Sequence, residues 1–316
     1  MKKLMALMIL AVLLSVHLSL GVSAERTVED YFSEMEFPHP IEAFEETPCM
    51  AVYSVEDLSV LYQKEATAHI APASLTKLVT ASVVTMFLNP DDILTVGSEL
   101  ELVESDSSVC GLKRGMEVSV YDLLCGLLMR SGNDSAYTLA VNVARRVSGL
   151  ELDDKEAIEW FCDMMNAFCD DIGADSSCFK TPDGYDAEGQ YTTVSDLAVI
   201  AAYAMKNELI SQITSMSRRS SPFESDIKEW YNTNFFMHEA FPLYDSAVFG
   251  MKTGSTDNAG KCLITLYKEG GQCYLAIVTG CRSEGQRYMS SAFLMMLRTL
   301  AENCLNITAG LKCCIY

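Results

Sequence analysis

Three short motifs in one order constrain this chain more than any other feature of its sequence. They are Ser74-Leu75-Thr76-Lys77, then Ser131-Gly132-Asn133, and finally Lys252-Thr253-Gly254. Together they supply a nucleophilic hydroxyl, an amine that can act as its base, a second hydroxyl with a carboxamide, and a cation beside a hydroxyl. Each motif alone is common and has a purely structural explanation. All three in this order predict a serine acyl-transfer enzyme.

The first motif is predicted to open a helix. Apolar residues recur at helical spacing from Ser74 to the break at Asn89-Pro90, namely Leu75, Leu78, Val79, Val83 and Met86. Side chains three residues apart lie on one helix face, so Lys77 would stand beside Ser74. A lysine shielded from water loses its proton at a lower pH and can then accept one from the hydroxyl. Two other S-x-x-K segments, Ser177–Lys180 and Ser225–Lys228, open no apolar helix.

The second motif is predicted in a loop between two helices. Ser119 and Asp122 form a capping box that begins a helix over Val120 to Met129, and the next helix follows Asn133. A loop at this place can direct the hydroxyl of Ser131 and the amide of Asn133 into a cleft. Taken alone, the motif is better explained as a turn between helices in which Asn133 or Ser131 caps.

The third motif ends a strand that is predicted over Ala247 to Thr253. Lys252 and Thr253 can together hold a substrate carboxylate through charge and a hydrogen bond. Gly254 has no side chain, so an extended substrate can approach the strand edge and bond to its backbone.

Strands are predicted near both ends of the domain, with helices in its middle. The segment from Cys49 to Gln63 is rich in β-forming residues, and a late hairpin joins Lys261–Tyr267 to Cys273–Gly280 about Gly270-Gly271. Caps and apolar spacing predict three further helices, namely Asp154–Ile172 before Gly173, a helix capped by Thr193 and Asp196 through Met205, and Leu294–Leu300. We therefore expect an α/β (α+β) fold, an antiparallel sheet flanked by helices, with an all-helical subdomain inserted at about residues 88–235.

The chain begins with the features of a secretory signal. Lys2 and Lys3 precede an apolar stretch from Leu4 to Leu20, and Val22-Ser23-Ala24 forms a small-residue cleavage site. A spanning helix is the alternative, but the apolar stretch is short for a bilayer core of about 30 Å. We expect a signal peptide over residues 1–24, a catalytic domain over residues 25–304 and a tail over residues 305–316.

Charge and cysteine content restrict the partners. The chain has 43 acidic and 23 basic residues, a formal net charge of −20, which disfavours nucleic acid and anionic lipid as partners. Its 12 cysteines could form disulfides or remain buried thiols, and both alternatives stay open. Cys162 and Cys169 lie too far apart on one predicted helix to bridge each other. Because no C-x-x-C segment occurs, we expect no metal site, and the motifs call for no cofactor.

Longer segments around the motifs resemble the serine-type D-alanyl-D-alanine carboxypeptidases. These are low-molecular-mass penicillin-binding proteins of bacterial walls, within the β-lactamase/transpeptidase-like superfamily. The resemblance spans roughly Cys49 to Cys304 and rests on these segments: Pro72–Lys77, Ser131–Ala136, Thr181–Gly184, Tyr191–Thr193, Asp196-Leu197, Asn232–Asn234, Gly250–Gly254 and Thr256–Gly260.

The resemblance implies catalytic roles for three side chains. Ser74 would be the acylated nucleophile, Lys77 its base, and Ser131 the relay that passes a proton to the leaving D-alanine. No metal or cofactor would take part. The implied partners are peptidoglycan stem peptides ending in D-Ala-D-Ala and β-lactam antibiotics.

The resemblance also implies substrate-binding residues. Asn133 would bind a substrate amide and hold the base, while Lys252, Thr253 and Gly254 would receive the terminal carboxylate and the peptide backbone. The backbone N–H groups of the nucleophile and of Ser255 would form the oxyanion hole.

The resemblance bears on location as well. Many relatives carry a further C-terminal β-domain and an amphipathic membrane helix, whereas this sequence ends at Tyr316. We therefore expect no C-terminal membrane anchor. The expected location is extracytoplasmic, secreted or wall-associated after signal-peptide cleavage.

Four rival functions compete with the carboxypeptidase. A class A β-lactamase would need an E-x-x-L-N segment between the second and third motifs, and none occurs there. A glutaminase-like amidohydrolase is disfavoured by the secretion signal and the third motif. A histidine-dependent hydrolase would have to use His39, His69 or His238 without a G-x-S-x-G segment. The last rival is a wall-binding or penicillin-sequestering protein with a decayed site.

Overall fold

The computed structural model describes residues 32–223 and 229–297. The expected signal peptide, the expected tail and the Ser225–Lys228 segment lie outside these residues, so the domain limits stay predictions.

Nine strands and eight helices are defined within the described residues. The strands are β1 (Cys49–Ser54), β2 (Val60–Lys64), β3 (Ile93–Thr95), β4 (Glu117–Ser119), β5 (Arg218–Ser220), β6 (Glu229–Tyr231), β7 (Val248–Thr256), β8 (Gly260–Glu269) and β9 (Gln272–Cys281). The helices are α1 (Pro40–Glu46), α2 (Lys77–Phe87), α3 (Val120–Leu128), α4 (Asn133–Ser148), α5 (Asp154–Ile172), α6 (Val194–Lys206), α7 (Glu208–Ser215) and α8 (residues 284–297). No helix in the described ranges is both long enough and apolar enough to cross a bilayer.

The main sheet is antiparallel and has five strands in the order β2-β1-β9-β8-β7. The two short pairs β3-β4 and β5-β6 stand apart from it. Strands from both ends of the domain therefore meet in one sheet, and helices α2 to α7 lie between them in the sequence. This arrangement confirms the predicted α/β fold with an antiparallel sheet and places β7 at an edge. The inserted segment at about residues 88–235 is not all-helical as predicted, because it carries the short pairs β3-β4 and β5-β6.

Local signals account for the best-predicted helices. Helix α5 has the predicted limits because Asp153 and Glu156 form a capping box and Gly173 takes a left-handed φ of 82° at its end. Helix α6 begins as expected, since the side chain of Thr193 accepts a bond from the backbone N–H of Asp196.

The helix after the first motif begins later than predicted. Residues Ala73–Thr76 form a 3-10 turn, and the α-helix starts at Lys77. Ala73 has a positive φ of 47°, a backbone geometry that apolar periodicity does not reveal. The nucleophile candidate therefore lies in a tight turn ahead of the helix.

The closing helix was predicted too short. It begins at residue 284, ten residues before Leu294. The prediction missed these first turns because they bury polar side chains, which hide the apolar pattern. Gln286 and Ser290 are examples, and Ser290 Oγ donates to the carbonyl of Ala43 over 2.9 Å. Residues 298–300 of the prediction lie outside the described part of the chain.

Helix α2 runs through the middle of the core. Every residue from Lys77 to Val84 is buried, and the helix packs against α3, α4, α5 and α6. Its polar Ser82 is accommodated by a hydrogen bond to the carbonyl of Leu78. A lysine at the start of such a helix is removed from water.

The nine cysteines in the described residues are free thiols, and seven are buried. Burial raises the pKa of the Cys162 and Cys169 thiols to about 12, so these groups are protonated and inert near neutral pH. For the seven buried positions, the structure favours buried thiols that act as small hydrophobic side chains over disulfides. Cys304, Cys313 and Cys314 lie outside the described residues.

Candidate active site

The edge strand β7 packs against the turn that carries Ser74. A Cβ atom at Gly254 would lie 3.0 Å from the Cβ of Ala73 and 3.2 Å from the backbone nitrogen of Ser74. The glycine therefore allows the strand to lie directly beside the amide of the nucleophile candidate, a constraint additional to the substrate approach expected from the sequence.

Lys77 lies at the centre of the site. Its Nζ donates to Ser74 Oγ over 2.7 Å, to Asn133 Oδ1 over 2.7 Å and to the backbone carbonyl of Asp183 over 2.8 Å. The three protons of the ammonium thus have three acceptors. The first and second motifs meet here, although 56 residues separate Lys77 from Asn133.

The environment of Lys77 adjusts its basicity. Burial lowers the pKa of Lys77 to about 8, while the negative charges of Asp183 and Asp134 act in the opposite direction. A lysine with this pKa is partly neutral just above neutral pH. Its hydrogen bond to Ser74 Oγ then gives a direct path for the hydroxyl proton.

The second and third motifs also meet. Lys252 Nζ donates to Ser131 Oγ over 2.9 Å and to the carbonyl of Thr253 over 2.9 Å. Burial, together with the positive charges of Lys77 and Arg287, lowers the pKa of Lys252. Ser131 has a positive φ of 63°, which directs the loop so that its hydroxyl reaches the lysine. Two buried lysine amines in one site favour the binding of an anion.

Ser255, the last of the predicted site residues, lies in a different environment. Ser255 is exposed, and its Oγ accepts a hydrogen bond of 2.7 Å from Lys261 Nζ on the neighbouring strand. Its side chain is thereby engaged on the strand surface. The oxyanion role of its backbone N–H stays a prediction.

Four contacts of the site were not assigned from the sequence. The carbonyl of Asp183 holds Lys77; Ser107 Oγ accepts from Asn133 Nδ2 over 2.8 Å; Thr233 Oγ1 accepts from Thr253 over 2.6 Å; and Arg287 Nη1 donates to the carbonyl of Gly254 over 3.4 Å. The segments around Asp183 and Thr233 are part of the family resemblance, but no catalytic or binding role was predicted for these two residues. Arg287 lies in the part of α8 that was not predicted to be helical.

The turn at Gly184 gives the first testable prediction. Gly184 has a φ of 82°, and a Cβ atom there would lie 1.8 Å from the carbonyl oxygen of Ala73, in the turn before the nucleophile candidate. We expect Gly184→Ala to lower the free energy of unfolding by about 3 kcal/mol or more, measured by urea denaturation.

Gly189→Ala is the matched control for this variant. Gly189 has nearly the same φ, 77°, but a Cβ there would have only the Cε of Lys180 within 4 Å, at 3.9 Å. It should show backbone strain alone, about 1 kcal/mol. Equal losses in the two variants would contradict the argument from close packing.

An antiparallel sheet whose edge strand faces a Ser-x-x-Lys turn, with a helical layer supplying a second hydroxyl, is the architecture of the β-lactamase/transpeptidase-like proteins. Residues 52–283 match the family described as D-alanyl-D-alanine carboxypeptidase. The chain belongs to this family.

Individual relatives agree with the family match. The chain is 31% identical over 233 residues to D-alanyl-D-alanine carboxypeptidase DacF of Bacillus subtilis, covering 72% of this chain and 56% of the relative. It is 33% identical over 221 residues to DacD of Escherichia coli, covering 67% of this chain and 52% of that protein. The chain thus spans about half the length of the curated relatives it matches.

Solved structures give the same result. The Streptomyces K15 DD-transpeptidase superposes with a TM-score of 0.72 at 25% identity, over 84% of this chain and 100% of that one. Penicillin-binding protein D2 of Listeria monocytogenes, in its ampicillin-bound form, superposes with a TM-score of 0.65 at 26% identity, over 80% and 97%. The fold is therefore shared along almost the full length of these solved chains.

Proposed function

We propose that this protein removes the terminal D-alanine from peptidoglycan stem peptides through an acyl-enzyme on Ser74. The observation that carries the proposal is the position of Lys77, whose buried amine contacts both the Ser74 hydroxyl and the amide of Asn133. The family membership and the names of the relatives support the choice of D-Ala-D-Ala as substrate.

The chemistry proceeds in two halves. Neutral Lys77 accepts the hydroxyl proton as Ser74 Oγ attacks the carbonyl carbon of the penultimate D-alanine. The oxyanion is held by the backbone N–H groups of Ser74 and Ser255. The C–N bond then breaks, and the leaving D-alanine takes a proton through Ser131, which Lys252 holds. Water hydrolyses the ester, releases the shortened peptide and restores the serine.

The substrate carboxylate is assigned to the end of strand β7. Lys252 contributes a buried amine there, and Thr253 contributes a hydroxyl that is also largely buried. A carboxylate between them replaces part of the hydration that Lys252 has lost. Asn133 and the backbone beside Gly254 bind the peptide.

The substrate places the enzyme outside the cytoplasmic membrane, secreted or associated with the wall. A signal peptide over residues 1–24, a catalytic domain over residues 25–304 and a tail over residues 305–316 complete this proposal. β-Lactams are expected to acylate the same serine, and the ampicillin-bound relative supports this expectation.

The test is the intact mass of the purified protein over time after addition of benzylpenicillin, with release of D-alanine from a D-Ala-D-Ala peptide measured in parallel. A single long-lived adduct on Ser74 and released D-alanine are expected. Rapid hydrolysis of the drug with only a transient adduct would assign a β-lactamase. No adduct and no D-alanine would point to a decayed site or an amidohydrolase.

A second prediction concerns recognition of the carboxylate. Lys252→Ala should lower kcat/KM for D-alanine release by about 100-fold, because a buried charged partner of the carboxylate is lost. Lys261→Ala is the control, since Lys261 lies on the adjacent strand and pairs with the exposed Ser255 and with Glu284. A similar loss in both variants would remove Lys252 from this role.

A further inference from the structure

Asp134 is a buried carboxylate that accepts hydrogen bonds from four backbone N–H groups. It is 4% exposed, and its two oxygens receive the N–H groups of Cys110, Gly111, Leu112 and Ser135 at 2.9 to 3.1 Å. Three of these donors come from a segment more than twenty residues away. Four backbone donors on one carboxylate fix both the side chain and that segment.

The segment that Asp134 holds leads directly to the active site. Ser107 Oγ accepts from Asn133 Nδ2 over 2.8 Å, and the carbonyl of Ser108 accepts from the backbone N–H of Asn133 over 2.8 Å. Two groups of one segment thus hold Asn133, one at its side-chain amide and one at its backbone N–H. The amide oxygen of Asn133 is left to face Lys77 Nζ.

The middle residue of the second motif is consistent with this arrangement. A Cβ atom at Gly132 would lie 2.7 Å from Asp134 Oδ1 and 3.2 Å from the backbone nitrogen of Cys110. An S-D-N motif would place an acid at position 132, where this chain has no room for one. The carboxylate of the loop comes instead from the residue after Asn133.

We propose that Asp134 is a positioning residue for acylation, which holds residues 107–112 so that Ser107 and Ser108 orient Asn133 towards Lys77. This inference rests on the proposed function, because its effect is seen in the reaction of Ser74. Asp134 touches neither the reacting atoms nor the substrate and acts through the segment and Asn133.

The test compares Asp134→Asn and Ser107→Ala with wild type in the rate of acylation by benzylpenicillin between pH 5 and 10. Asparagine offers one acceptor oxygen where the carboxylate offers two, so backbone donors of residues 110–112 lose their partner. We expect acylation to slow by about ten- to a hundredfold in Asp134→Asn and less in Ser107→Ala. Asp196→Asn is the control, since Asp196 is also a buried acid in a first helical turn but accepts from Ser177.

The pH profile separates the charge of Asp134 from its positioning role, because the charge moves the limb whereas a misplaced Asn133 lowers the plateau rate. The charged groups facing Lys77 are Asp134, Asp183 and Lys252, and the charge of Asp134 raises the pKa of Lys77. Losing that charge lowers the pKa of Lys77. The acid limb of the pH–rate profile for acylation should therefore move to lower pH in Asp134→Asn. Ser107→Ala keeps the charge, and its limb should stay in place.

Each outcome decides the matter. A lower plateau rate in both Asp134→Asn and Ser107→Ala, or in Ser107→Ala alone if the first variant does not fold, supports the proposal. A wild-type plateau rate in Ser107→Ala, or in a folded Asp134→Asn whose limb alone is displaced, overturns it. A wild-type protein that is not acylated contradicts the proposed function itself, and this result is distinct from both.

Discussion

Ser74→Ala is expected to be folded like the wild type and to form no adduct with penicillin. Ser74 Oγ bonds to Lys77 at the rim of the core, and Lys77 keeps two other acceptors when the hydroxyl is removed. The rate of D-alanine release should fall by at least about 10⁴-fold, as when a serine hydrolase loses its nucleophile. Intact mass and far-ultraviolet circular dichroism check the two halves of this expectation.

Ser177→Ala is the matched control for the loss of Ser74. Ser177 begins another S-x-x-K segment, but its Oγ bonds to Asp196 and Thr192, and within the described residues it makes no hydrogen bond to a lysine amine. The control should be acylated at the wild-type rate. An adduct on another serine of Ser74→Ala would overturn the assignment of the nucleophile.

Lys77→Ala is expected to lower the acylation rate near neutral pH by about 10²–10⁴-fold, the range for loss of a general base. In the wild type the pKa of Lys77 is lowered by burial to about 8, so its neutral form dominates above that pH. The wild-type rate should therefore rise with pH up to about 8 and then level off. The variant should lack this rise.

Folding has to be controlled in this experiment because Lys77 is completely buried. Lys77→Met keeps most of the side-chain volume and removes the amine, so it separates loss of the base from creation of a cavity. Both variants should be equally slow once their folded fractions are matched. Unchanged labelling kinetics in either would remove lysine from its role as base.

Sequence reasoning located the parts of the molecule that local chemistry determines. The limits of α5 follow from an acidic cap and a terminal glycine, and the late hairpin follows from Gly270-Gly271. The pairing of Ser74 with Lys77 was expected from their spacing of three residues. Each of these features depends only on residues that are close together in the sequence.

The remaining features depend on distant backbone groups. The carbonyl of Asp183 meets Lys77 across 106 residues, and a carbonyl is present in every residue, so it leaves no signal in the sequence. The 3-10 turn at Ala73 depends on a positive φ that accompanies close packing with Gly184. Arg287 was missed because buried polar residues conceal the start of α8.

The strand order also determines when the molecule can finish folding. The first strand of the main sheet pairs with the last, and Cys49 meets Thr279 across 230 residues. Such contacts carry a large loop-closure entropy and slow the search for the native state. The edge strand that bears Lys252 can join the sheet only through β8 and β9, the last strands of the sheet to leave the ribosome. A nascent chain stopped before residue 281 would thus carry Ser74 and Lys77 without a complete main sheet, and a working site would have to wait for β9 and for α8, which supplies Arg287.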